Sequence, residues 1–438
     1  MTTPVLSVCV PAYGNGHLLT RTLDALTRQS LPTAAYEVIV VDDGSEPSLE
    51  PIVTAYLNEL PLTLIRQDNR GRSAARNRAM AAARGRVFVF LDADQAADPG
   101  LLQAHHDFHA TRGFGPGVLL GRAITADWAV IGAFTHGQTP TPAMADASRG
   151  DVRDYLLRLP HFRAGLGRAP WICAHTNNAS IDRATAEAVG GFDEALTTWG
   201  GEDNEFFYRV FRHHDRDPKL FDVGDDAISY DLPHFRLWPL LMAQLADNFR
   251  QIFHKHPRYD VELFTLPGLW TTTLRRITWF EDALTAARTH RLGRADLLPG
   301  TLTDRLRGTG ALVIGFGADR LDLGPDAAVF DHDTPAGGRN RHLAGLAVPE
   351  PDGRYAGVVA VDLWRFLPPE DLAVLVLESL RIGGRIDLVA TGTPVTAADL
   401  LPLPFADDLD YLRDTVAGHL PVRVSDHDGA RVLTIGGE

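Results

Sequence analysis

The sequence has few cysteines and no long apolar run, and each scarcity excludes a class of protein. Cys9 and Cys173 are the only cysteines, too few for a disulfide framework or for a metal site built from cysteines. No apolar stretch approaches the ~18 residues that a membrane-spanning helix needs, so no span is predicted. Met1 leads straight into a strand-like segment rather than a signal peptide, and we therefore expect a soluble, cytoplasmic protein.

Positive charge is scarce as well. Of the 438 residues 42 are basic, only two of them lysines, and 56 are acidic, so the formal net charge is −14. This argues against a protein that binds nucleic acid through a basic face. Residues 301–438 alone hold 21 acidic and 12 basic residues. With 45% apolar residues, the chain is long enough for two or three domains with cores of their own.

Short apolar runs alternate with amphipathic stretches over the first hundred residues. The pattern predicts strands at residues 6–10, 38–41, 62–65 and 87–91, with helices between them. This alternation indicates βαβ units and a parallel sheet. Because ligands of such sheets bind beyond the carboxyl ends of the strands, we expect three segments to share one edge: Pro11 to Tyr13, Asp42 with Asp43, and Asp92 to Asp94.

Several acidic side chains would converge on that edge. Unpaired carboxylates repel one another, so such a cluster is usually stabilised by a cation or by the hydrogen-bond donors of a ligand. Asp92 and Asp94 follow a strand one residue apart and could reach a divalent ion that also binds a diphosphate. Alternatively, each acid only caps a strand or forms a turn, as the sequence Asp43-Gly44-Ser45 suggests.

A second acidic pair follows two glycines. Gly200 and Gly201 allow a tight turn before Glu202 and Asp203, and the apolar residues that come next have helical spacing. The pair is therefore predicted to lie in the first turn of a helix. The helix dipole favours an ionised carboxylate there, which suits a base. An acidic helix start can also serve only as a cap.

Together these motifs resemble inverting glycosyltransferase family two, whose members have the nucleotide-diphospho-sugar transferase (GT-A) fold. The resemblance covers residues 1 to about 235 and is strongest toward chondroitin polymerase and β-1,4-galactosyltransferase-like members. It implies an α/β domain with a mixed or parallel sheet and a UDP-sugar donor. The motifs that carry it are Val10-Pro11-Ala12-Tyr13, Val41-Asp42-Asp43-Gly44-Ser45, Asn69-Arg70-Gly71 with Ala75-Arg76-Asn77, Leu91-Asp92-Ala93-Asp94, Gly190-Gly191-Phe192-Asp193 and Trp199-Gly200-Gly201-Glu202-Asp203.

The resemblance implies a role in donor binding for several residues. Tyr13 would pack on the uracil, and Asp43, with Asp42 beside it, would read the base or the ribose. Arg76 would face the nucleotide or its diphosphate, and Asp92 the ribose or a metal-bound water. The residues expected to bind the nucleotide-sugar are Pro11, Tyr13, Asp42, Asp43, Arg76, Asp92 and Ala93.

The resemblance also implies a Mn²⁺ or Mg²⁺ cofactor. Asp94 would be the main protein ligand, and relatives use a histidine beyond the Glu-Asp pair as a further ligand. His234 lies at a suitable distance along the chain. His213 and His214 compete for this role, but they end an amphipathic helix and are expected to face solvent.

In the implied mechanism Asp203 deprotonates an acceptor hydroxyl, which attacks the anomeric carbon and inverts its configuration. Glu202 would orient the acceptor or the sugar, and the metal would stabilise the leaving diphosphate. Trp199 offers a face on which an acceptor sugar could stack, although it could also be core. A soluble small molecule, a carrier-bound intermediate, a peptide and a glycan end all stay open as acceptors, and a homo-oligomer is possible. The intact acids argue against a vestigial, purely protein-binding chain.

Residues 236–300 are expected to form a helical linker. An apolar stripe runs from Leu237 to Phe253 with basic residues nearby, so this segment either packs against a neighbouring domain or lies on a membrane surface. Residues 135–148, rich in Pro, Thr and Ala, are expected to form a loop near the acceptor.

Residues 301–438 are expected to form a smaller, Rossmann-like α/β domain. Their first strand opens into Gly315-Phe316-Gly317, and their second strand ends at Asp331. This order resembles class I methyltransferases that bind S-adenosylmethionine. The match weakens at the site, because Asp319 stands where a third glycine belongs. We therefore expect a degenerate domain used for packing, dimerisation or carrier binding, with a bifunctional enzyme that also methylates as the alternative.

Overall fold

The computed structural model describes residues 3–125, 150–151, 153, 166–232, 234–266, 270–391 and 409–437. Within it the chain forms two compact units, Met1–Gln251 and Ile252–Glu438. The predicted borders at residues 235 and 300 stay predictions, and the predicted loop at 135–148 lies outside the described residues. None of the described helices is long and apolar enough to cross a membrane.

In its described residues the first unit is built on an eight-stranded mixed sheet, which confirms the predicted α/β fold. Its strands are β1 (Leu6–Ala12), β2 (Tyr36–Asp42), β3 (Leu62–Arg66), β4 (Val87–Leu91), β5 (Gln95–Ala97), β6 (Val118–Thr125), β7 (Asn178–Asp182) and β8 (Phe221–Asp231). The order is β3-β2-β1-β4-β7-β6-β8-β5. The first four positions are parallel, β7 is antiparallel to both of its neighbours, and β6 and β8 are parallel.

Seven helices lie in the described part of the first unit. They are α1 (Gly16–Leu26), α2 (Glu50–Thr54), α3 (Arg72–Ala82), α4 (Leu101–Thr111), α5 (Arg183–Ala188), α6 (Glu202–His213) and α7 (Trp238–Lys255), the last of which continues into the second unit. Every residue of β2 and β4 is buried, as expected of parallel strands with both faces covered. Leu19 and Leu23 of α1 are fully buried in the same core, each contributing about 1.5–3 kcal/mol.

The apolar stripe of residues 237–253 is only partly packed. Phe253 is 8% exposed, but Leu237 and Leu240 are 56% and 53% exposed. No described part of the chain covers the N-terminal end of the stripe, and its packing against a neighbouring domain or a membrane stays a prediction.

The part of the second unit that the structure describes contains a six-stranded sheet, as the prediction of a second, smaller α/β domain requires. Its strands are β9 (Leu312–Ile314), β10 (Ala328–Phe330), β11 (Val358–Val361), β12 (Arg385–Thr391), β13 (Val422–His427) and β14 (Ala430–Gly436), in the order β10-β9-β11-β12-β14-β13. The first four positions are parallel, and β14 is antiparallel to both neighbours. The described helices are α8 (Tyr259–Thr265), α9 (Trp270–Thr289), α10 (Gly300–Leu306), α11 (Pro369–Gly383) and α12 (Leu409–Val416).

Candidate active site

The carboxyl ends of three parallel strands meet at one edge of the first sheet. β1 lies between β2 and β4 and is parallel to both. Each of these strands ends at or directly before one of the predicted motifs. Tyr13, Asp43 and Asp92 therefore follow neighbouring strands at the same edge, where ligands of α/β sheets bind.

Arg76 of α3 joins two acidic motifs that are far apart in the sequence. Its Nη2 donates to Asp92 Oδ1 and its Nη1 to Glu202 Oε1, both at 3.0 Å. Arg76 is only 2% exposed, and its charge offsets the repulsion between the two carboxylates. Although burial opposes the change, the charges of Asp92 and Glu202 raise the pKa of Arg76.

Glu202 and Asp203 lie in the first turn of α6, as predicted. Gly201 precedes them with a φ of 84°, a left-handed conformation that a glycine adopts without strain. The Asn204 side chain anchors the start of the helix, because its Nδ2 donates to two backbone carbonyls of residues 171–172, at 3.1 and 3.0 Å. The position of the acidic pair is therefore well defined.

The two carboxylates of this pair have different surroundings. Burial raises the pKa of Asp203 to about 7, and the charge of Glu202 adds to the rise. A carboxylate with this pKa can accept a proton near neutral pH. Among the described residues, the buried Oε2 of Glu202 has no hydrogen-bond partner. Because an unpaired buried acceptor costs free energy, this oxygen is suited to bind a ligand hydroxyl.

Asp94, Asp231 and His234 surround the guanidinium of Arg236. The Nη2 atom of Arg236 lies 3.3 Å from Asp94 Oδ2 and 3.5 Å from Asp231 Oδ1, and its Nε donates to His234 Nε2 at 2.9 Å. His234 Nδ1 lies 3.4 Å from Asp94 Oδ2. Burial, together with the charges of Asp92 and Asp231, raises the pKa of Asp94 to about 7. The structure thus brings the two predicted metal ligands together.

The chemistry of this cluster fits a divalent cation. Carboxylates suit Mn²⁺ and Mg²⁺, and an imidazole favours Mn²⁺ of the two. Within the described ranges no group of three His, Cys, Asp or Glu side chains could hold a metal ion. One or two protein ligands suffice, however, when substrate phosphates complete the coordination. A cation, the Arg236 guanidinium, already lies between the Asp94 and Asp231 carboxylates.

Sequence reasoning did not assign a role to Asp231 or Arg236. Both flank His234 within three positions, in Asp231-Leu-Pro-His234-Phe-Arg236. Charged residues so close to a candidate ligand are a weak signal, because β8 ends at Asp231 and strands commonly end in polar residues.

The carboxylates of Asp42 and Asp43 are occupied by their own chain. Asp43 accepts from the amides of Arg70 (3.0 Å) and Gly71 (2.9 Å) and from Gln67 Nε2 (2.8 Å). Asp42 accepts from the amides of residues 45 and 49, at 2.9 and 3.2 Å. Both residues thus organise the loops at this edge, as the turn interpretation requires, while their contact with a nucleotide stays a prediction.

The remaining predicted donor residues lie beside these loops. Tyr13 is 62% exposed, so its ring is open to stacking, and Pro11 belongs to β1. The backbone carbonyl of Ala93 accepts from the Thr22 hydroxyl at 2.9 Å. An open cleft of about 590 Å³ adjoins Asp43 and is lined by Gly44, Glu46, Arg66, Gln67, Asp68 and Asn69.

Trp199 lies next to a second tryptophan that the sequence did not indicate. Its ring meets Trp238 edge to face, with centroids 5.9 Å apart, and its backbone amide donates to Gln244 Oε1 at 3.3 Å. Trp238 is 50% exposed. Trp199 is therefore not a fully buried core residue, and the pair presents aromatic surface next to Gly200 and Gly201.

Comparison with known proteins identifies the family. Residues 7–114 match the model of glycosyl transferase family 2, and residues 175–216 match the model described as the N-terminal domain of galactosyltransferase. The validoxylamine A glucosyltransferase of Streptomyces hygroscopicus subsp. jinggangensis (strain 5008) is 30% identical over 392 residues, which cover 81% of this chain and 90% of that protein. The chain belongs to glycosyltransferase family 2. The predicted family and the predicted enzyme class, a glycosyltransferase, are thereby confirmed.

The chondroitin synthase of Escherichia coli and two solved structures match a smaller part of this family 2 glycosyltransferase. The chondroitin synthase of Escherichia coli is 29% identical over 223 residues, 47% of this chain and 32% of that protein. Among solved structures, the mannosyltransferase PcManGT from Pyrobaculum calidifontis with GDP-Man and Mn²⁺ has a TM-score of 0.43 at 20% identity, over 65% and 75% of the two chains. TarS 1–349 of S. aureus with UDP-GlcNAc has a TM-score of 0.41 at 20% identity, over 61% and 69%.

The similarity to the glucosyltransferase extends into the second unit of this family 2 member. A coverage of 81% of 438 residues is about 355 residues, whereas the first unit comprises only 251. At least part of the second unit is therefore shared with a glycosyltransferase, while the predicted methyltransferase resemblance has no such support.

Proposed function

We propose that this chain transfers a hexose or an N-acetylhexosamine from a UDP-sugar to a hydroxyl of a small soluble acceptor, with inversion at the anomeric carbon. The observation that carries the proposal is the pairing of Asp203, whose pKa of about 7 suits a base, with Glu202 and Arg76 at the edge where Asp92 and Asp94 follow β4. The proposed base, Asp203, and Asp94, which would bind the cation, thus belong to one site.

Donor binding is assigned to the edge formed by the first four strands. The exposed ring of Tyr13 is suited to stack on the uracil, and the loops that Asp42 and Asp43 hold in place shape the cleft beside it. Both ends of the Arg76 guanidinium bind carboxylates, so we assign Arg76 first to the positioning of Glu202 and Asp92. Its contact with the diphosphate is a further part of the proposal.

Asp94 and His234 would hold the divalent cation. When bound, Mn²⁺ or Mg²⁺ supplies positive charge that stabilises the leaving diphosphate. The protein side of this site is acidic and partly buried, with Asp94 and Asp231 both within 3.5 Å of Arg236 Nη2. The matching residues thus fit the predicted cofactor in chemical type.

In the chemical step Asp203 takes the proton of the acceptor hydroxyl. The hydroxyl oxygen forms a bond to the anomeric carbon while the bond from that carbon to the diphosphate oxygen breaks, and the electron pair leaves with UDP. The unpaired Oε2 of Glu202 is suited to accept a hydrogen bond from a hydroxyl of the sugar or the acceptor. One displacement from the opposite face inverts the configuration.

For the acceptor, the validoxylamine A glucosyltransferase offers a first candidate. It is named for validoxylamine A and shares 90% of its length with this chain, so we propose an acceptor of similar size and hydroxyl content. The Trp199 and Trp238 rings would provide apolar faces for its rings.

The second unit is proposed to be non-catalytic. A Cβ atom at Gly317 would overlap the carboxylate of Asp296, which also pairs with Arg294 and Arg320 at 2.6 and 3.0 Å. Asp331 accepts from backbone amides at 2.9 and 3.3 Å. The chain's own groups thus occupy the space beside the Gly317 loop and the carboxylate of Asp331, which a methyltransferase would use for its ligand. Micromolar binding of S-adenosylmethionine to the full chain, measured by calorimetry, would instead support the bifunctional alternative.

The test of the main proposal is a transfer assay with the full chain. UDP-glucose, UDP-galactose and the two UDP-N-acetylhexosamines are offered with validoxylamine A, with Mn²⁺ or with EDTA. We expect a glycosylated product with one donor and with metal only, and an anomeric configuration, determined by NMR, opposite to that of the donor. A product with retained configuration would contradict the mechanism, and equal rates in EDTA would contradict the cation site.

A further inference from the structure

The cluster of Asp94, Asp231, His234 and Arg236 contains more than two candidate metal ligands. Arg236 is 29% exposed along its side chain, and the three residues around it are 18–22% exposed. Its guanidinium reaches all three of them within 3.5 Å. The positive charge of the cluster is therefore supplied by the protein itself.

The hydrogen bond between Arg236 and His234 defines the state of the imidazole. A guanidinium remains protonated at any pH at which the protein is folded and can only donate. The Nε2 atom of His234 must then present its lone pair to Arg236, at 2.9 Å, and Nδ1 carries the hydrogen, which faces the carbonyl of Leu232 at 3.2 Å. The lone pair that a metal ion would require is thus already used.

Arg236 also occupies carboxylate oxygens that a metal ion would need. The Oδ2 atom of Asp94 faces Arg236 Nη2 at 3.3 Å, and Asp231 Oδ1 faces the same nitrogen at 3.5 Å. A divalent ion bound to Asp94 and His234 would meet a like charge at contact distance, which is strongly unfavourable in a partly buried site.

We propose that Arg236 acts as an internal cation that closes the Asp94–His234 site in the donor-free enzyme and competes with the divalent metal. The inference rests on the proposed function, because it takes Asp94 and His234 as the cation site. Metal binding then requires the guanidinium to withdraw. The exposed ring of Trp238 offers it an alternative contact, since the Arg236 Cζ atom already lies 5.7 Å from the centre of that ring.

The experiment measures Mn²⁺ binding to the full chain by electron paramagnetic resonance, without nucleotide or acceptor. Arg236→Gln removes the internal cation and should lower the dissociation constant for Mn²⁺ at least tenfold, a change of about 1.4 kcal/mol. Arg250→Gln is the matched control. Arg250 lies on α7, its side chain is 68% exposed, and it pairs with Asp247. We expect the control to bind Mn²⁺ as the unchanged protein does.

Asp94→Asn, alone and combined with Arg236→Gln, separates this proposal from the proposed function. Weaker Mn²⁺ binding in both backgrounds, with tighter binding by Arg236→Gln alone, supports the proposal. If Arg236→Gln binds Mn²⁺ no more tightly than the unchanged protein while Asp94→Asn weakens it, Arg236 does not compete and only the inference fails. If Asp94→Asn changes nothing, both the inference and the cation site of the proposed function fail. The transfer assay still tests the glycosyltransferase reaction independently.

Discussion

In the first unit Asp92, Asp94 and Glu202 bind arginine side chains, whereas the buried Glu262 and Asp362 of the second unit accept hydrogen bonds from backbone amides. Glu262 accepts from the amides of Ala344, Leu346 and Ala347 at 2.6, 2.6 and 2.8 Å. Asp362 accepts from the amides of residues 293 and 391, from the Thr391 hydroxyl and from a nearby arginine.

The partners of a buried carboxylate indicate whether it belongs to a ligand site. Around Asp92, Asp94 and Glu202, like charges lie close together and a buried acceptor has no partner among the described residues. Such an arrangement costs free energy unless a ligand compensates it. Around Glu262 and Asp362 of the second unit the carboxylate oxygens all accept hydrogen bonds, so there the same residue type stabilises the fold. The acidic excess of residues 301–438 therefore carries no evidence of a second active site.

Asp203→Asn should have the largest effect, and it tests whether the carboxylates at the sheet edge of the first unit are catalytic. The amide cannot accept the acceptor's proton, so we expect kcat to fall about 10²–10⁴-fold, with donor binding unchanged by calorimetry. In the unchanged enzyme the rate should rise with pH up to about 7, the pKa of the base. Asp304→Asn, at a 68% exposed carboxylate of the second unit, should leave kcat unchanged. A near-normal rate for Asp203→Asn would show that another group is the base.

Glu262→Ala tests whether a hydrogen-bonded carboxylate of the second unit serves the stability of the fold. Three backbone amides lose their hydrogen-bond acceptor, and we expect the free energy of unfolding to fall by about 3 kcal/mol. The measurement is urea unfolding followed by circular dichroism, with Glu370→Ala, at an exposed residue of α11, as the control. The transfer rate per folded molecule should not change. A loss below about 1 kcal/mol would mean that water replaces the carboxylate.

Two buried histidines of the first unit should contribute to stability rather than to catalysis, as we expect of Glu262 in the second unit. His105 and His109 of α4 both bond the Ser180 hydroxyl, at 2.8 and 2.9 Å, and burial lowers their pKa values to about 4 and about 3. In the unfolded chain both titrate near 6.5. Folding therefore favours the neutral rings, and their contribution to stability is present above pH 6.5 and lost as the pH falls below it.

Between pH 7 and pH 5 each histidine should lower the free energy of unfolding by up to about 2 kcal/mol. Urea unfolding at a series of pH values measures this slope. His109→Gln should make the slope shallower by about one proton. An unchanged slope would mean that the ring is protonated in the folded protein.

Trp238→Ala is expected to have the smallest effect. Loss of one aromatic face should raise the acceptor KM up to about tenfold, the equivalent of about 1.4 kcal/mol, with kcat nearly unchanged. Leu377→Ala, at a 63% exposed leucine of the second unit, serves as the control. If kcat rather than KM falls, Trp238 positions the reacting groups instead of binding the acceptor.

Much of the site was predictable because its residues follow strands or begin a helix. Strand ends at Asp42 and Asp92 and the Gly-Gly turn before Glu202 depend on local sequence, and the structure reproduces them. The bridge from Arg76 to Glu202 spans 126 residues, and no local pattern encodes such a contact. The role of Arg236 was missed for the same reason, since Asp94 lies 142 residues before it.

By itself the sequence determined the alternation of strands and helices in the first unit, the edge that carries the acids and the family to which the chain belongs. These follow from periodicity, from turn residues and from motifs that need only neighbouring positions. Tertiary structure alone decided which carboxylates are filled. Asp43 accepts from the amides of Arg70 and Gly71, 27 and 28 residues further along the chain, whereas Glu202 keeps a buried oxygen unbonded within the described residues. The physical reason is that a carboxylate's state depends on the donors and charges within a few ångströms of it, and folding brings these from distant parts of the chain.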